Sequence, residues 1–365
     1  MEIHILNKSF LPHIAILQVF GVLLVIIGHI LSVYWATSIS RDWYGFSINN
    51  FSYNYIYKFI YSFHMPLFFF ISGYLFQYKN SNQKKFIDEV ILRFRRLVIP
   101  YIFAGLLIYI PTVIFLAPSN STINDFSQYL IQFFTLKNCA YLWFLPCLFV
   151  TLMIYILLLK TPLKNHLLVL TFIIIYIRDN HPVLDLPFII YYKPLELLLF
   201  IHMGYIFAKY LNYDKSSIYS KPSIHGTIFS KLYLILIILF ITRSFAIYFI
   251  LQSRFILDPI YKITFIYVIA LMLISIFPKM HEIKIVNYIS QNMLFIYLFH
   301  KPILIIYRRI INEDIANSPI YSILILTPLI LATCCILIFI YKKMLSFIKQ
   351  KFTTVVFNRH KKLSQ

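Results

Sequence analysis

The sequence predicts an all-α protein, a polytopic membrane bundle of about ten transmembrane helices. Of its 365 residues, 60% are hydrophobic and only 13% are charged, and the mean hydropathy is +0.78. So few charged residues cannot coat a soluble globule of this size. Apolar stretches of roughly 20 residues, the length a helix needs to cross a hydrocarbon core, recur along the chain. An outer-membrane barrel would instead show short segments of alternating hydrophobicity.

Ten apolar stretches between polar breaks are each predicted to span the membrane. They cover residues 14–35, 59–78, 97–117, 139–159, 166–178, 194–210, 232–251, 259–277, 286–306 and 319–341. The first lacks a basic start and a small-residue cleavage site, so we expect a retained helix. No segment is long or polar enough for a separate soluble domain. Residues 1–345 are predicted to form one transmembrane domain, and residues 346–365 a basic cytoplasmic tail.

The distribution of lysine and arginine predicts the orientation. If both termini face one side, the segments on that side hold 22 of the 33 basic residues and the opposite loops hold nine. Because basic loops stay in the cytoplasm, both termini are expected to be cytoplasmic. The net charge of +20 then reflects topology and contact with anionic membrane lipids, and no nucleic-acid partner is expected.

Two histidines inside predicted spans are the first candidates for chemistry. His29 and His64 lie in spans that run in opposite directions, each five or six residues from the outer end. At about 1.5 Å per residue, both are expected about 8 to 9 Å below the outer surface, where they could share one cavity. A neutral imidazole can take a proton from a hydroxyl and return it to a leaving group. From the residues alone, the alternative is a structural role, with each ring bonded to a neighbouring carbonyl or hydroxyl.

Three arginines stand at the predicted cytoplasmic entrance of the third span. Arg93 and Arg96 are three residues apart, a spacing that places them on one helical face, and Arg95 lies between them. Guanidinium groups match phosphate oxygens, so a phosphate-bearing donor such as coenzyme A can be held there. The alternative is a topogenic basic cluster bound to lipid head groups.

Other charged residues within the spans are predicted to be structural. Glu196 and Arg243 are opposite charges that are candidates to pair, because a lone charge in the membrane costs roughly 2.5 to 3.5 kcal/mol. Lys301 is a candidate for a buried partner or a snorkelling side chain. The four cysteines lack zinc or redox spacing, and no metal site is expected. The absence of a nucleotide-binding loop excludes an ATP-driven pump unless a partner chain supplies the motor.

Six strings of the sequence resemble, in their order, those of the acyltransferase 3 family. They are Val25–His29, Phe63–Tyr74, Arg93–Tyr101, Leu142–Leu145, His202–Tyr205 and Asn292–Pro302. Members of that family are multipass bacterial membrane proteins that O-acylate cell-surface glycans and lipids. The resemblance runs from the first predicted span to the ninth, and is closest to the subgroup without an appended hydrolase-like domain.

The resemblance implies roles for particular residues. His29 matches the essential histidine of the family, and Arg93 and Arg96 match the paired arginines thought to engage the acyl donor. His64 and Ser72 fall on recurrent positions. Gln18 departs from the family pattern, because members usually carry Arg or Lys eleven residues before the first-span histidine. Glutamine can donate a hydrogen bond but cannot neutralise an anionic donor.

The leading hypothesis is therefore a membrane O-acetyltransferase of the bacterial cytoplasmic membrane. It would move a short acyl group from acyl-CoA, here acetyl-CoA, to a hydroxyl of a surface polysaccharide or its lipid-linked precursor. His29 would be the general base beside His64, with Arg93, Arg95, Arg96 and Gln18 at the donor. Two alternatives stay open: a transporter of a glycan or lipid-linked sugar, and a catalytically inactive scaffold.

Overall fold

The computed structural model is helical throughout the residues that it describes. These are residues 12–32, 51–78, 85–111, 126–134, 140–167, 169–171, 173, 189–213, 238, 257–277, 282–310 and 318–363, and none of them lies in a strand. The α-helices are α1 (Pro12–Leu31), α2 (Phe51–Tyr78), α3 (Phe86–Arg93), α4 (Ile99–Ala104), α5 (Phe126–Phe134), α6 (Phe144–Leu159), α7 (Ile189–Tyr213), α8 (Leu257–Ile276), α9 (Lys284–Gln291), α10 (Met293–Ile310) and α11 (Pro319–Leu363).

Four helices of the described part are long and apolar enough to cross a membrane. They are Ile14–Leu31, Ile56–Tyr78, Tyr141–Leu159 and Pro319–Phe347. Helices α9 and α10 meet at an angle of 81° and give a fifth if the pair is one broken span. The fold is thus an all-α membrane bundle. Most of the predicted spans at 166–178 and 232–251 lies outside the described residues. Helix α11 continues to Leu363, through most of the segment predicted as a tail.

Glycines allow α2 to pack closely against α1 and α7. A Cβ atom added at Gly28 would lie 3.1 Å from the Tyr61 ring, so α1 and α2 approach closely there. At the contact of α2 with α7, a Cβ on Gly73 would lie 1.9 Å from the carbonyl oxygen of Ile201, and one on Gly204 would lie 1.9 Å from that of Phe70. Backbones in contact through small residues are typical of helix pairs in membranes, where packing drives association.

Contacts between side chains show which helices run in the same direction. Helices α2 and α6 are parallel, because Phe69 packs on Phe144 at 5.4 Å between ring centroids and Phe76 packs on Tyr155 at 5.7 Å. Helix α10 is parallel to α1, because His300 packs on His29 and, in the preceding α9, Ser290 bonds Gln18. Helix α11 is antiparallel to α10, with Tyr307 bonded to Thr333 and Phe295 packed on Tyr341.

This arrangement gives the bundle two polar ends. We call the one that holds His29, His64 and His300 the histidine end. The other, the arginine end, holds Glu89, Arg93, Arg95 and Arg96. The Arg93 guanidinium lies 5.2 Å from the ring centroid of Phe76 on α2. Since Phe76 is twelve residues after His64, the two ends are separated by roughly 18 Å along that helix.

Candidate active site

A cavity of about 470 Å³ opens among the helices at the histidine end. Its lining combines hydroxyls, imidazoles and charged groups with aromatic walls. The residues are Val25, His29, Ser32, Tyr61, Ser62, His64, Met65, Pro66, Tyr141, Trp143, Lys193, Glu196, Leu197, Lys262, Tyr297 and Lys301. On α1, α7 and α10 the lining residues recur at three, four or seven residues, so each of these helices turns one face to the cavity.

His29 is partly exposed to this cavity, and its ring is oriented by α2. The Nδ1 atom lies 3.2 Å from the hydroxyl oxygen of Tyr61. Gly28 leaves room for the Tyr61 ring to approach α1. The Tyr61 hydroxyl also forms a hydrogen bond with Tyr57, one turn away on the same helix. When Tyr61 donates to Tyr57, its oxygen accepts the Nδ1–H of His29. The lone pair on Nε2 is then free to accept a proton.

His64 lines the same cavity but is more deeply buried. It is only 4% exposed, and its Nδ1–H donates to the Ile60 carbonyl at 2.8 Å. A carbonyl oxygen can only accept, so this bond places the proton on Nδ1 and the lone pair on Nε2. The Tyr61 ring packs on His64, with centroids 4.8 Å apart, and also touches His29. The structure therefore places the two histidines on one cavity, with Tyr61 in contact with both.

A third histidine, His300, lies beside the other two and was missed as a site residue by the sequence analysis. Its ring centroid is 5.1 Å from that of His29. Its Nδ1–H donates to the carbonyl of Tyr297 at 2.7 Å, and its buried Nε2 has no hydrogen-bond partner among the described residues. The sequence carried a signal, because a histidine in an apolar span is as unusual at position 300 as at position 29.

Proline explains how Tyr141 is held against these rings. Pro302 has no N–H, so it cannot bond the carbonyl of Leu298 four residues earlier. The Tyr141 hydroxyl donates to that carbonyl instead, at 2.8 Å. Tyr297 in turn donates to the Tyr141 backbone carbonyl. These two hydrogen bonds join Tyr141, three residues before α6, to α10 and fix one wall of the cavity.

The cavity is rich in positive charge. Lys193, Lys262 and Lys301 line it together with one carboxylate, Glu196. The predicted partner of Glu196, Arg243, lies outside the described residues. Lys301 is near enough for its charge to act on both His29 and His300. Lys193 and Lys262 were missed as site residues, because the sequence placed them at the ends of apolar stretches, where basic residues are common.

The arginine end combines a buried ion pair with two exposed arginines. Arg93 donates from Nε to Glu89 at 3.0 Å, and the pair is largely buried, with side chains 15% and 0% exposed. Arg95 and Arg96 are exposed. Because residues 94–98 form a π-helical turn, Arg93 and Arg96 do not share one environment as the three-residue spacing predicts for an α-helix. π-Helical turns are frequent at functional sites.

Gln18 and the three arginines are absent from the lining of the cavity. The Gln18 side-chain oxygen accepts a hydrogen bond from Ser290, near the break between α9 and α10. Its side-chain nitrogen remains a hydrogen-bond donor. Eleven residues separate Gln18 from His29 on α1, roughly 16 Å along the helix. Gln18 thus lies far from the cavity, as Arg93 does.

The described residues hold no group of three or more His, Cys, Asp and Glu that could bind a metal ion. Cys147, Cys334 and Cys335 are free thiols, and the first two are buried among apolar side chains. The structure assigns no chemical role to these three cysteines.

Comparison with known proteins assigns the chain to a family. A family model described as an acyltransferase domain, acyltransferase 3, matches residues 12–339 and so takes in both polar ends. No curated protein and no solved structure gives a significant match. The match covers most of the chain, and the cavity, the histidines and the arginines all fall within it. The chain belongs to the acyltransferase 3 family of membrane acyltransferases.

Proposed function

We propose that this membrane acyltransferase transfers an acetyl or other short acyl group from acyl-CoA to a hydroxyl. The acceptor is a cell-surface polysaccharide or its lipid-linked precursor. The observation that carries the proposal is His29, which faces a cavity large enough for a sugar while Tyr61 holds its Nδ1 atom. Such a pair, a base oriented by a hydroxyl, leaves Nε2 available to a substrate.

The reaction proceeds as follows. Nε2 of His29 takes the proton from the acceptor hydroxyl as the oxygen attacks the thioester carbonyl. A C–O bond forms, the C–S bond breaks, and the proton passes from His29 to the departing thiolate of coenzyme A. Lys301 supports the oxyanion that forms at the carbonyl, because its charge lies close to His29. His64 lines the same cavity and accepts a hydrogen bond from the sugar at Nε2.

The donor binds along the bundle between the two ends. Arg95 and Arg96 are exposed and hold phosphate oxygens of coenzyme A. Arg93, paired with Glu89, lies beside them, and the amide nitrogen of Gln18 donates to the donor. The separation of roughly 18 Å between the ends suits an extended pantetheine arm, whose thioester can reach His29 while the phosphates stay at the arginines.

The helix directions support the ten-span topology that we propose for this function. Helix α7 runs parallel to α2, as α6 does. Residues 62–66 of α2 and 193–197 of α7 line the cavity together, and further along both helices Phe76 packs on Tyr205. Parallel neighbours in a membrane require an odd number of crossings in the chain between them. This requirement supports a span near residues 166–178. With both termini in the cytoplasm, the histidine end faces outward, as suits an enzyme of the bacterial inner membrane that acts on surface glycans.

His29→Gln tests the proposal, and His202→Gln is its matched control. His202 has the same contact, an Nδ1 atom 3.2 Å from the hydroxyl of Tyr155, but does not line the cavity. The full chain in liposomes receives acetyl-CoA with a labelled acetyl group and a glycan acceptor. We expect His29→Gln to lower the rate of acetyl transfer at least 100-fold, since general-base catalysis contributes that much. His202→Gln should remain within about twofold of the wild type.

Three outcomes would contradict this proposal. Equal transfer by His29→Gln and the wild type would remove His29 as the base. A charged cavity inside a helical bundle also suits a transporter. Acceptor that crosses the liposome membrane without gaining the label would favour that function. A chain that does neither, in wild-type form, would be a scaffold.

A further inference from the structure

A second, much smaller cavity adjoins the large one. Its volume is about 10 Å³, against about 470 Å³ for the large cavity. Five of its lining side chains are hydrocarbon, namely Val22, Val25, Ile26, Phe68 and Ile296. Val25 and Tyr297 line both cavities, so the two spaces lie side by side.

The small cavity lies on the donor side of the histidines. Val22 precedes His29 by seven residues, roughly 10 Å along α1 toward the arginine end. Phe68 follows His64 by four residues on the antiparallel α2 and so lies in the same direction. The ring of His300, whose centroid is 5.1 Å from that of His29, borders the cavity. The space is therefore next to the proposed base, on the side from which the thioester arrives.

The size and the walls of this cavity suit one small apolar group. About 10 Å³ leaves space for roughly one water-sized sphere, and a methyl group is close to that size. A buried water needs about two to four polar partners, and the five hydrocarbon side chains offer it none. A methyl group would instead gain packing contacts with all of them. On an acetyl thioester, such a group is bonded directly to the reacting carbonyl carbon.

Close packing keeps the walls in place. Val22 and Ile26 are only 3% and 1% exposed. The Phe68 ring packs on Phe144, with centroids 5.7 Å apart, and a Cβ atom on Gly21 would lie 2.9 Å from that ring. Phe68 thus touches both α1 and α6 and has little room to move aside. A longer occupant has to force packed side chains apart, which is costly in a protein core.

We propose that the small cavity binds the methyl group of an acetyl donor and selects acetyl over longer acyl groups. This assignment rests on the proposed function, because it names the acyl group that the same site transfers. The thioester carbonyl then lies between His29 and the small cavity. The sulfur points toward the arginine end, and the acceptor hydroxyl occupies the large cavity.

Binding of the donor can be measured without an acceptor. The detergent-solubilised full chain is titrated with CoA, acetyl-CoA, propionyl-CoA and butyryl-CoA, and calorimetry gives each Kd. One methylene that does not fit an apolar pocket is worth about tenfold or more. We expect acetyl-CoA to bind more tightly than CoA, and butyryl-CoA to bind at least about tenfold more weakly than acetyl-CoA. Equal Kd values for acetyl-CoA and butyryl-CoA would overturn the proposal.

Ile26→Val removes one methyl group from the lining, and Ile30→Val is its matched control. Both isoleucines are buried on α1, at 1% and 0% exposed, but Ile30 lines neither cavity. An Ile→Val change in a core costs little stability, so both variants should fold. We expect Ile26→Val to bind propionyl-CoA about threefold or more tightly than the wild type, and Ile30→Val to stay within about twofold. The same Kd for propionyl-CoA in all three proteins would place the acyl group elsewhere and overturn the assignment.

The transfer assay designed for His29→Gln then separates this assignment from the proposed function. The wild type should transfer acetyl with a kcat/KM at least about tenfold above that for butyryl. Equal transfer of the two groups would overturn the role of the small cavity and leave the acyltransferase in place. If the wild type binds acetyl-CoA selectively but transfers neither group, the proposed function fails, while the cavity keeps its methyl ligand.

Discussion

The two ends of the bundle contain the same tyrosine–histidine contact in different surroundings. Tyr61 meets Nδ1 of His29 at 3.2 Å at the histidine end, and Tyr155 meets Nδ1 of His202 at 3.2 Å near the arginine end. Only the first pair lines the large cavity. The pair geometry alone therefore does not make a catalytic base; access to substrate distinguishes the two.

The charged groups differ in the same way. At the arginine end the buried charge is compensated locally, with Arg93 paired to Glu89, and the remaining guanidinium groups of Arg95 and Arg96 face outward. At the histidine end several cations converge on an internal space with one carboxylate. A buried ion pair contributes to structure, whereas cations that line a cavity are placed to contact what binds there.

The largest effect is expected when the compensated pair is broken. Arg93→Gln leaves the fully buried Glu89 without its cation, and removal of one partner of a buried ion pair typically costs 3 kcal/mol or more. Because Arg93 keeps some exposure, we expect the free energy of unfolding to fall by about 2 to 3 kcal/mol. Arg96→Gln, the matched control, should leave stability unchanged and raise KM for acetyl-CoA several-fold. Denaturant unfolding in detergent and steady-state kinetics measure the two quantities.

A double variant checks the physical reason. Glu89→Gln together with Arg93→Gln removes both charges, so it should be more stable than Arg93→Gln alone. If Arg93→Gln instead unfolds like the wild type and only raises KM for acetyl-CoA, Arg93 binds the donor directly and the two ends differ less than we argue.

A smaller effect is expected from the tyrosine at the cavity. Tyr61→Phe removes the group that orients His29, and a hydrogen bond of this kind contributes about 1 kcal/mol. We expect kcat for acetyl transfer to fall about fivefold with little change in KM, because Tyr61 positions the base and not the substrate. Tyr155→Phe removes the matching bond at the other end and should leave kcat within about twofold. Equal losses in the two variants would mean that both act through the fold.

Much of the histidine end could be anticipated from the sequence, because two histidines in oppositely directed spans fall at similar depth by counting residues. His29 and His64 indeed line one cavity. Counting along single helices cannot show which faces converge, and that is why Lys193 and Lys262 were missed. These lysines sit near the ends of apolar segments, and only the packing of α7 and α8 against α2 brings them to the cavity.

The arginine end was predictable in composition but less so in geometry. The α-helical period places Arg93 and Arg96 on one face, yet a π-helical turn at residues 94–98 separates their environments. The residues at 94–98 do not predict a π-helical turn, since π-helical geometry depends on tertiary contacts more than on local preference. Glu89 is four residues before Arg93, a spacing that does predict the observed pair.

The smallest effect concerns Gln18, whose two polar atoms can be tested separately. Ser290→Ala removes only the bond to the Gln18 oxygen, which should lower the free energy of unfolding by about 1 kcal/mol and leave KM for acetyl-CoA unchanged. Gln18→Ala removes that bond and also the amide nitrogen, so it should lose similar stability and raise KM for acetyl-CoA about two- to threefold. If the two variants have the same stability and the same kinetics, Gln18 acts only as a partner of Ser290. The arginine end would then hold the donor with Arg95 and Arg96, and the absence of a cation at position 18 would leave it weaker in donor binding than a relative that carries Arg or Lys there.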